Sequence, residues 1–547
     1  MFGFRVLPRN LSVVLLVFLL LLFIHVLFVG QAQAADPIFE IVSIPNAGRS
    51  VAARIADFDG DRRADLMVVA VEGMPPDEQR VVRVYLQGED GTLPTLPSHR
   101  IMLPKWSGVY DLADLVAWPG VEMVVLRPNG VTLLSLANAS GALLDLPVAG
   151  GGTIATSEDE RGFEPFKMVY REFGKEPWIL VPMFGRVIAI GADGKVRASL
   201  DVGRRSNYIV IPTDGLVLAE SDIQLFIDVP KLAVGDVDGD GRVDIVSSTR
   251  HEIRVFLRRE GGEFASAPDR IIPLALITPR DHIRGTGGVS CDFRDIDNDG
   301  DLDLLISHSE GSFIDAATTT YLFFNRDGGW HLDDPDGKFA SERGVASTVL
   351  VDIDRDGIYE LLHIQIKFSL LEFVELLLTR EIDAVIALHR LEVGSGFNKK
   401  PILKRNLGIP FSFDTFRPKG FIPRFTADLN RDGYLDLVMS GAGEALEVYL
   451  GGGKTPFAKR AARQKMQTEG VIEFADFNGD GLTDFVLYDP HNFDRAVQLA
   501  INTGALGDGG VGGSNENLSA TAPFFPPAPL QRSDNQATSA RFEDAGR

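Results

Sequence analysis

The chain has 547 residues, with 76 Asp and Glu against 54 Lys and Arg, a formal net charge of -22 and an isoelectric point near 4.9. This charge excludes nucleic acid as a partner, because its phosphates would be repelled. A single cysteine, Cys291, excludes an intramolecular disulfide, so loops must be cross-linked by other means.

Residues 1–34 form a targeting segment. Arg5 and Arg9 precede an apolar run from Leu11 to Val29, and Ala32-Gln33-Ala34 supplies a small-x-small cleavage pattern. The chain is therefore expected to be exported, to the periplasm, the cell surface or the medium. The run is also long enough to span a bilayer, so a cleaved signal peptide and an uncleaved anchor both stay open. Any membrane contact is expected through this segment alone.

From Asp36 the chain repeats. Alternating apolar stretches over Ser50 to Asp57, Ala64 to Val71, Val81 to Gln87 and Arg100 to Leu103 read as four short strands. Between the first two lies an acidic loop with Asp57, Asp59, Asp61 and Asp65 at positions 1, 3, 5 and 9. Five further copies place Asp236, Asp238, Asp240 and Asp244, then Asp295, Asp297, Asp299 and Asp303, then Asp352, Asp354, Asp356 and Glu360 at the same positions. Asp428, Asn430, Asp432 and Asp436, and finally Asp476, Asn478, Asp480 and Asp484, complete the set. Six loops offer 24 such positions, two of them held by asparagine, so 22 of the 76 acidic residues have a local explanation.

Four carboxylates within nine residues repel one another unless a cation sits among them, and hard oxygen ligands at alternate positions suit Ca2+. About six calcium sites are expected. Position 6 must turn sharply, and Gly241, Gly300, Gly357, Gly433 and Gly481 hold it. The first copy has Arg62 there and is expected to be the weakest or most irregular site. None has the Glu of an EF-hand at position 12, and a strand pattern follows each loop instead of a helix.

The gap between the first two acidic loops spans about three repeat lengths, so two worn copies are expected in it. In one, Asp114 and Glu122 keep positions 1 and 9 while Val116 and Trp118 replace the ligands between. In the other, Phe166 to Ile190, strand and turn survive without ligands. Eight units of four strands predict an all-β propeller of eight blades, with seven as the alternative. The strand pattern over Ile38 to Ser43 is expected to complete the last blade. Ser369 to Arg380 predicts a short helix inserted between the second and third strands of one blade, capped by Ser369 and Glu372. Its apolar face of Leu370, Phe373, Val374 and Leu377 is expected to lie on that blade, with a partner or membrane contact as the alternative. The propeller is bounded at 36–503. Residues 504–547, rich in Gly and Pro, read as a disordered tail.

The repeated D-x-[DN]-x-D-G-x-x-D followed by an apolar strand resembles the FG-GAP or VCBS repeat family, over roughly Asp36 to Asn502. The literal Phe-Gly and Gly-Ala-Pro signatures are missing, so the resemblance is closer to the VCBS type. It implies a secreted or surface calcium-binding propeller with varied partners, and integrin-like ligand recognition does not carry over.

No zinc-protease or nucleophile-elbow motif is present. Gly451-Gly452-Gly453-Lys454-Thr455 lacks the first glycine of a phosphate loop, Val448 standing there, and reads as a strand turn. Arg280, His282, His308, Phe416, Arg417 and His491 fall on the face away from the acidic loops, as do Asp281, Arg284, Phe411, Phe413 and Phe421. They are candidate ligand-binding residues for a protein or glycan, such as a sugar or acidic glycan, against a plainer reading of solvated or locally packed side chains. Two functions follow: a calcium-stabilised binding module of the cell envelope, or a lyase-like enzyme acting on an extracellular polysaccharide.

Overall fold

The computed structural model describes residues 36–507, apart from 75–76, 138–142, 156–162, 213–220, 280–286, 312–316, 342–343, 368–369, 393–395, 414–416, 442 and 454. These residues build an eight-bladed β-propeller of four-stranded antiparallel sheets, blades 2 and 6 each carrying a short fifth strand, the one in blade 2 paired parallel. Blade 1 runs Arg49–Ala56, Asp65–Glu72, Gln79–Tyr85, His99–Leu103. The later blades begin with Val109–Ala113, Val169–Tyr170, Lys231–Gly235, Gly288–Arg294, Gly344–Val351, Arg424–Ala427 and Val471–Ala475.

The second strands are buried on both faces, as in Asp65–Glu72 and Asp244–Ser248, whereas outer strands such as His99–Leu103 alternate between half-buried and exposed. A strand covered by neighbouring blades on both sides needs apolar residues at every position, which is why these segments read as unbroken apolar runs. Eight apolar clusters fill the ring, each joining two adjacent blades: Met67 and Val69 of blade 1 meet Tyr110 and Met123 of blade 2, and so on round to Val486 and Leu499 of blade 8 against Ala53 and Leu66 of blade 1. Eight clusters in eight seams leave no gap in the circle. The expected closure is present: Phe39–Ile44 pairs antiparallel with Val497–Asn502 as the fourth strand of blade 8.

The two worn repeats are blades 2 and 3. The helix, Leu370–Thr379, lies between the second and third strands of blade 6 as expected. It ends where Arg380 turns left-handed at φ 59°, with the Arg380 N–H bonded to the Leu376 carbonyl. Ser369 lies outside the described residues. Val374 is 46% exposed and Leu377 52%, so these two members of the predicted packing face point outward, together with Leu378 at 80%. Absent from the sequence reading was a hairpin, Ser206–Pro212 with Ser221–Ile227, between blades 3 and 4. Among the described residues no helix is long and apolar enough to cross a membrane.

Candidate metal centre

Each acidic loop joins the first strand of a blade to the second, and its backbone repeats closely. Positions 4 and 6 both have positive φ in all six copies, from Gly60 and Arg62 in the first to Gly479 and Gly481 in the last. The position 6 N–H donates to the position 1 carboxylate at 2.5–3.1 Å every time. The position 7 N–H donates to the position 5 side chain at 2.7–3.0 Å. Where glycine holds position 4, its own N–H also reaches the first Asp; where Asn298, Arg355 or Arg431 stands there, the position 5 N–H does so instead. The first loop, expected to be irregular, thus follows the common path, with Arg62 at φ 71° where the others have glycine.

Position 9 plays a separate part. It is the first residue of the second strand and accepts the position 2 N–H at 2.7–3.1 Å in all six loops. Its other oxygen takes a backbone N–H at the end of the third strand or just beyond it, from Gln87, Arg258, Asn325, Gly451 or Asn502, in five of them. The expected strand turn at Gly451 is therefore a staple on Asp436. Burial pushes these carboxyls up, to about 6 for Asp65, Asp244, Glu360 and Asp484 and to about 7 for Asp303 and Asp436, with nearby acidic side chains adding to the rise. Burial, and then neighbouring carboxylates, raise Asp238 and Asp297 as well.

The third position carries the observation that bears on a cation. Asp238 Oδ1, Asp297 Oδ1, Asp354 Oδ1 and Asn430 Oδ1 are buried and have no hydrogen-bond partner among the described residues. A buried oxygen without a donor costs roughly 1–3 kcal/mol, more if charged. Four such atoms at one position of a repeat, beside converging carboxylates, fit a cation in the loop. In four loops three carboxylate oxygens come within 4.8 Å of one another: Asp57, Asp59 and Asp61; Asp236, Asp238 and Asp244; Asp295, Asp297 and Asp299; Asp352, Asp354 and Asp356. Blade 7 and blade 8 have Asn430 and Asn478 at position 3, each donating through Nδ2 to Asp432 or Asp480.

The worn blades replace the site with packing. Glu122 still accepts the Leu115 N–H at 2.7 Å. In blade 3, whose loop is one residue shorter, the strand register puts Trp178 in the place of position 9, its ring stacked on Phe173 at 4.5 Å, with the Arg258 guanidinium of blade 4 lying 5.9 Å from both rings. Amide side chains also tie loop to loop: Asn325, Gln87 and Asn502 donate to the position 2 carbonyls of Val237, Phe477 and Leu429 in the preceding blade. These residues were missed in the sequence, although each stands at the end of a third strand or just beyond it.

The candidates for the other face are only partly within the described residues. His308 is 8% exposed, inside the second strand of blade 5. Arg417 belongs to a short edge strand of blade 6, and His491 lies exposed beyond the second strand of blade 8. Phe411 and Phe421 are buried, and Phe413 meets Phe411 edge-on at 5.4 Å. Arg280, His282, Asp281, Arg284 and Phe416 lie outside the described residues.

Residues 236–306 and 428–523 match the family model of the FG-GAP-like repeat. The chain carries FG-GAP-like repeats. These FG-GAP-like stretches contain four of the six acidic loops, those of blades 4, 5, 7 and 8. No curated protein matches the sequence. Among solved structures the chain is similar to Sqt1 from Chaetomium thermophilum at 12% identity, covering 85% of this chain and 99% of that one, with a TM-score of 0.38. It is also similar to an Agrocybe aegerita lectin that recognises non-reducing terminal N-acetylglucosamine (13% identity, 69% and 91% covered, TM-score 0.33) and to the exotype rhamnogalacturonan lyase YesX (12%, 84% and 76%, 0.33). Their ligands and activities say nothing about this chain.

Proposed function

We propose that this FG-GAP-like propeller is an exported, calcium-binding scaffold that acts as a protein- or glycan-binding module of the cell envelope. The observation that carries the calcium reading is the set of buried, unpartnered oxygens at position 3 of four loops. Calcium accepts six to eight oxygen ligands in flexible geometry, which suits mixed carboxylate and amide side chains on a tight turn. The residues that would hold it are positions 1, 3, 5 and 9 of each loop. Bound calcium would neutralise carboxylates that the fold otherwise crowds together.

Export rests on residues 1–34. The chain enters at Pro37, whose carbonyl accepts the Thr503 hydroxyl at 2.6 Å, and leaves just beyond Asn502, which is bonded to Asp484. Both ends of the domain therefore meet beside the loops of the last blades. An N-terminal anchor would hold the loop face toward the membrane and leave the opposite face free for a partner.

Native mass spectrometry of residues 36–547 with and without EDTA tests the reading. About six calcium ions per chain are expected, and an unchanged mass would overturn it. Turnover of acidic polysaccharides to unsaturated products would replace the binding module with the enzyme reading.

A further inference from the structure

The loop of blade 6 differs from its siblings in one respect. In the other five acidic blades, the second oxygen of position 9 takes a backbone N–H. In blade 6, Glu360 Oε1 accepts the Nε hydrogen of Arg390 at 3.2 Å, and Nη2 of the same guanidinium donates to Asp354 Oδ2 at 3.0 Å. One arginine thus joins ligand positions 3 and 9. Glu360 is a methylene longer than the Asp found elsewhere, which carries its carboxylate out to the guanidinium.

The strand register identifies what stands at the place of Arg390 in the other blades. It is the residue after the one paired with position 10: Leu86, Leu257, Phe324, Leu450 and Ile501. All five are apolar, and blade 6 alone has a cation there. The backbone of Arg390 is pinned by the Asn398 N–H bonded to its carbonyl at 2.9 Å. A second arginine of this loop, Arg355 at position 4, lies 3.4 Å from Asp428 Oδ2, the first ligand of the next loop.

We propose that Arg390 is a built-in counter-cation of the loop Asp352 to Glu360, competing with the metal for two ligand positions at once, Asp354 and Glu360, so that this loop is the weakest calcium site of the six. Arg63 and Arg242 of blades 1 and 4 each pair with position 5 alone. The inference rests on the calcium reading. A guanidinium cannot leave its backbone, so its charge stays beside the loop when calcium enters and is repelled by it. Blade 6 correspondingly keeps one of the four acidic charges of its loop offset when calcium is withdrawn.

Calorimetric titration of metal-free residues 36–547 with calcium chloride tests this. The wild type should show a tight class and one weak site, and Asp354→Ala should abolish the weak site alone. Arg390→Leu, the residue type of the other blades, should tighten that site roughly tenfold. In EDTA the same variant should unfold at a lower temperature than wild type, and Arg390→Gln should repeat both effects if Leu disturbs packing. Loss of a tight site in Asp354→Ala, or an unchanged or weakened site in Arg390→Leu and Arg390→Gln, overturns the inference alone. Absence of binding in every protein overturns the calcium reading with it.

Discussion

Gln464 holds Phe39 by both ends of one amide: its Oε1 accepts the Phe39 N–H at 2.8 Å, and its Nε2 donates to the Phe39 carbonyl at 2.8 Å. The outer strand of blade 7 thereby grips the strand that closes blade 8. The ring is sealed by a segment far away in sequence, so its closure depends on contacts that local propensity does not supply. Gln464→Ala removes two hydrogen bonds and should cost about 1–3 kcal/mol in denaturant unfolding. Removal of residues 36–44, which strips a whole strand and buried Phe39, should cost more, and equal stability of all three proteins would contradict the closure.

The two kinds of carboxylate in each loop should separate under mutation. Asp244 is fully buried and accepts Val237 and Arg258 N–H groups, so Asp244→Ala leaves two donors unsatisfied and should destabilise by roughly 2–4 kcal/mol in EDTA as well as in calcium. Asp238→Ala removes the unpartnered Oδ1 together with a carboxylate that takes the Asp240 N–H, and should lower the unfolding midpoint much more in calcium than in EDTA. Asp236 and Asp240 are poorer probes, because Asp236 accepts two backbone N–H groups of the loop and Asp240 accepts one while pairing with Arg242. A loss for Asp238→Ala that is the same in both conditions would remove the metal from that loop.

The division bears on what can be read from sequence. Strand order, blade number, the closing strand and all six loops follow from periodicity and from acidic spacing, because each ligand must recur in register. Gln464 and the amides of Gln87, Asn325 and Asn502 act across blades, and Arg390 reaches an acidic loop distant in sequence within its own blade, so nothing in their own sequence neighbourhood marks them. Trp178 replaces a carboxylate by packing, so its blade keeps the fold while losing the motif. The hairpin Ser206–Pro212 with Ser221–Ile227 fell in a gap assigned to blades alone. The outward-facing Val374 and Leu377 show that apolar periodicity locates a helix without saying which side is covered.

Arg62 stands at φ 71° and is exposed, in a place where the other loops have glycine. Left-handed backbone is unfavourable for a residue with a Cβ, and glycine gives back part of that gain through its freer unfolded chain. Arg62→Gly should therefore stabilise by roughly 0.5–1 kcal/mol, read as a shift in the urea midpoint without change in slope. A destabilised variant would mean that the arginine side chain holds this loop in a way its geometry does not indicate.

The buried ninth carboxyls set the pH response. Their folded pKa values of about 6 to 7 exceed the ordinary 3.8 for Asp and 4.5 for Glu, so the folded, calcium-free chain binds protons more tightly than the unfolded one. This contribution is fully present below about pH 4 and is lost as pH rises through 6 to 7. In EDTA the stability term from these groups should fall across that window. Saturating calcium, which favours the ionised forms, should reverse the slope. Unfolding midpoints from pH 4.5 to 7.5 in both media check the sign, and parallel curves would contradict it.

Thermal unfolding of residues 36–547 in millimolar calcium and in EDTA, with metal analysis of the same sample, tests the central claim most directly. The account predicts a large upward shift of the midpoint in calcium, with close to six ions per chain at saturation. Superimposable transitions and no bound metal would contradict it, and the acidic loops would then be held by their backbone hydrogen bonds alone.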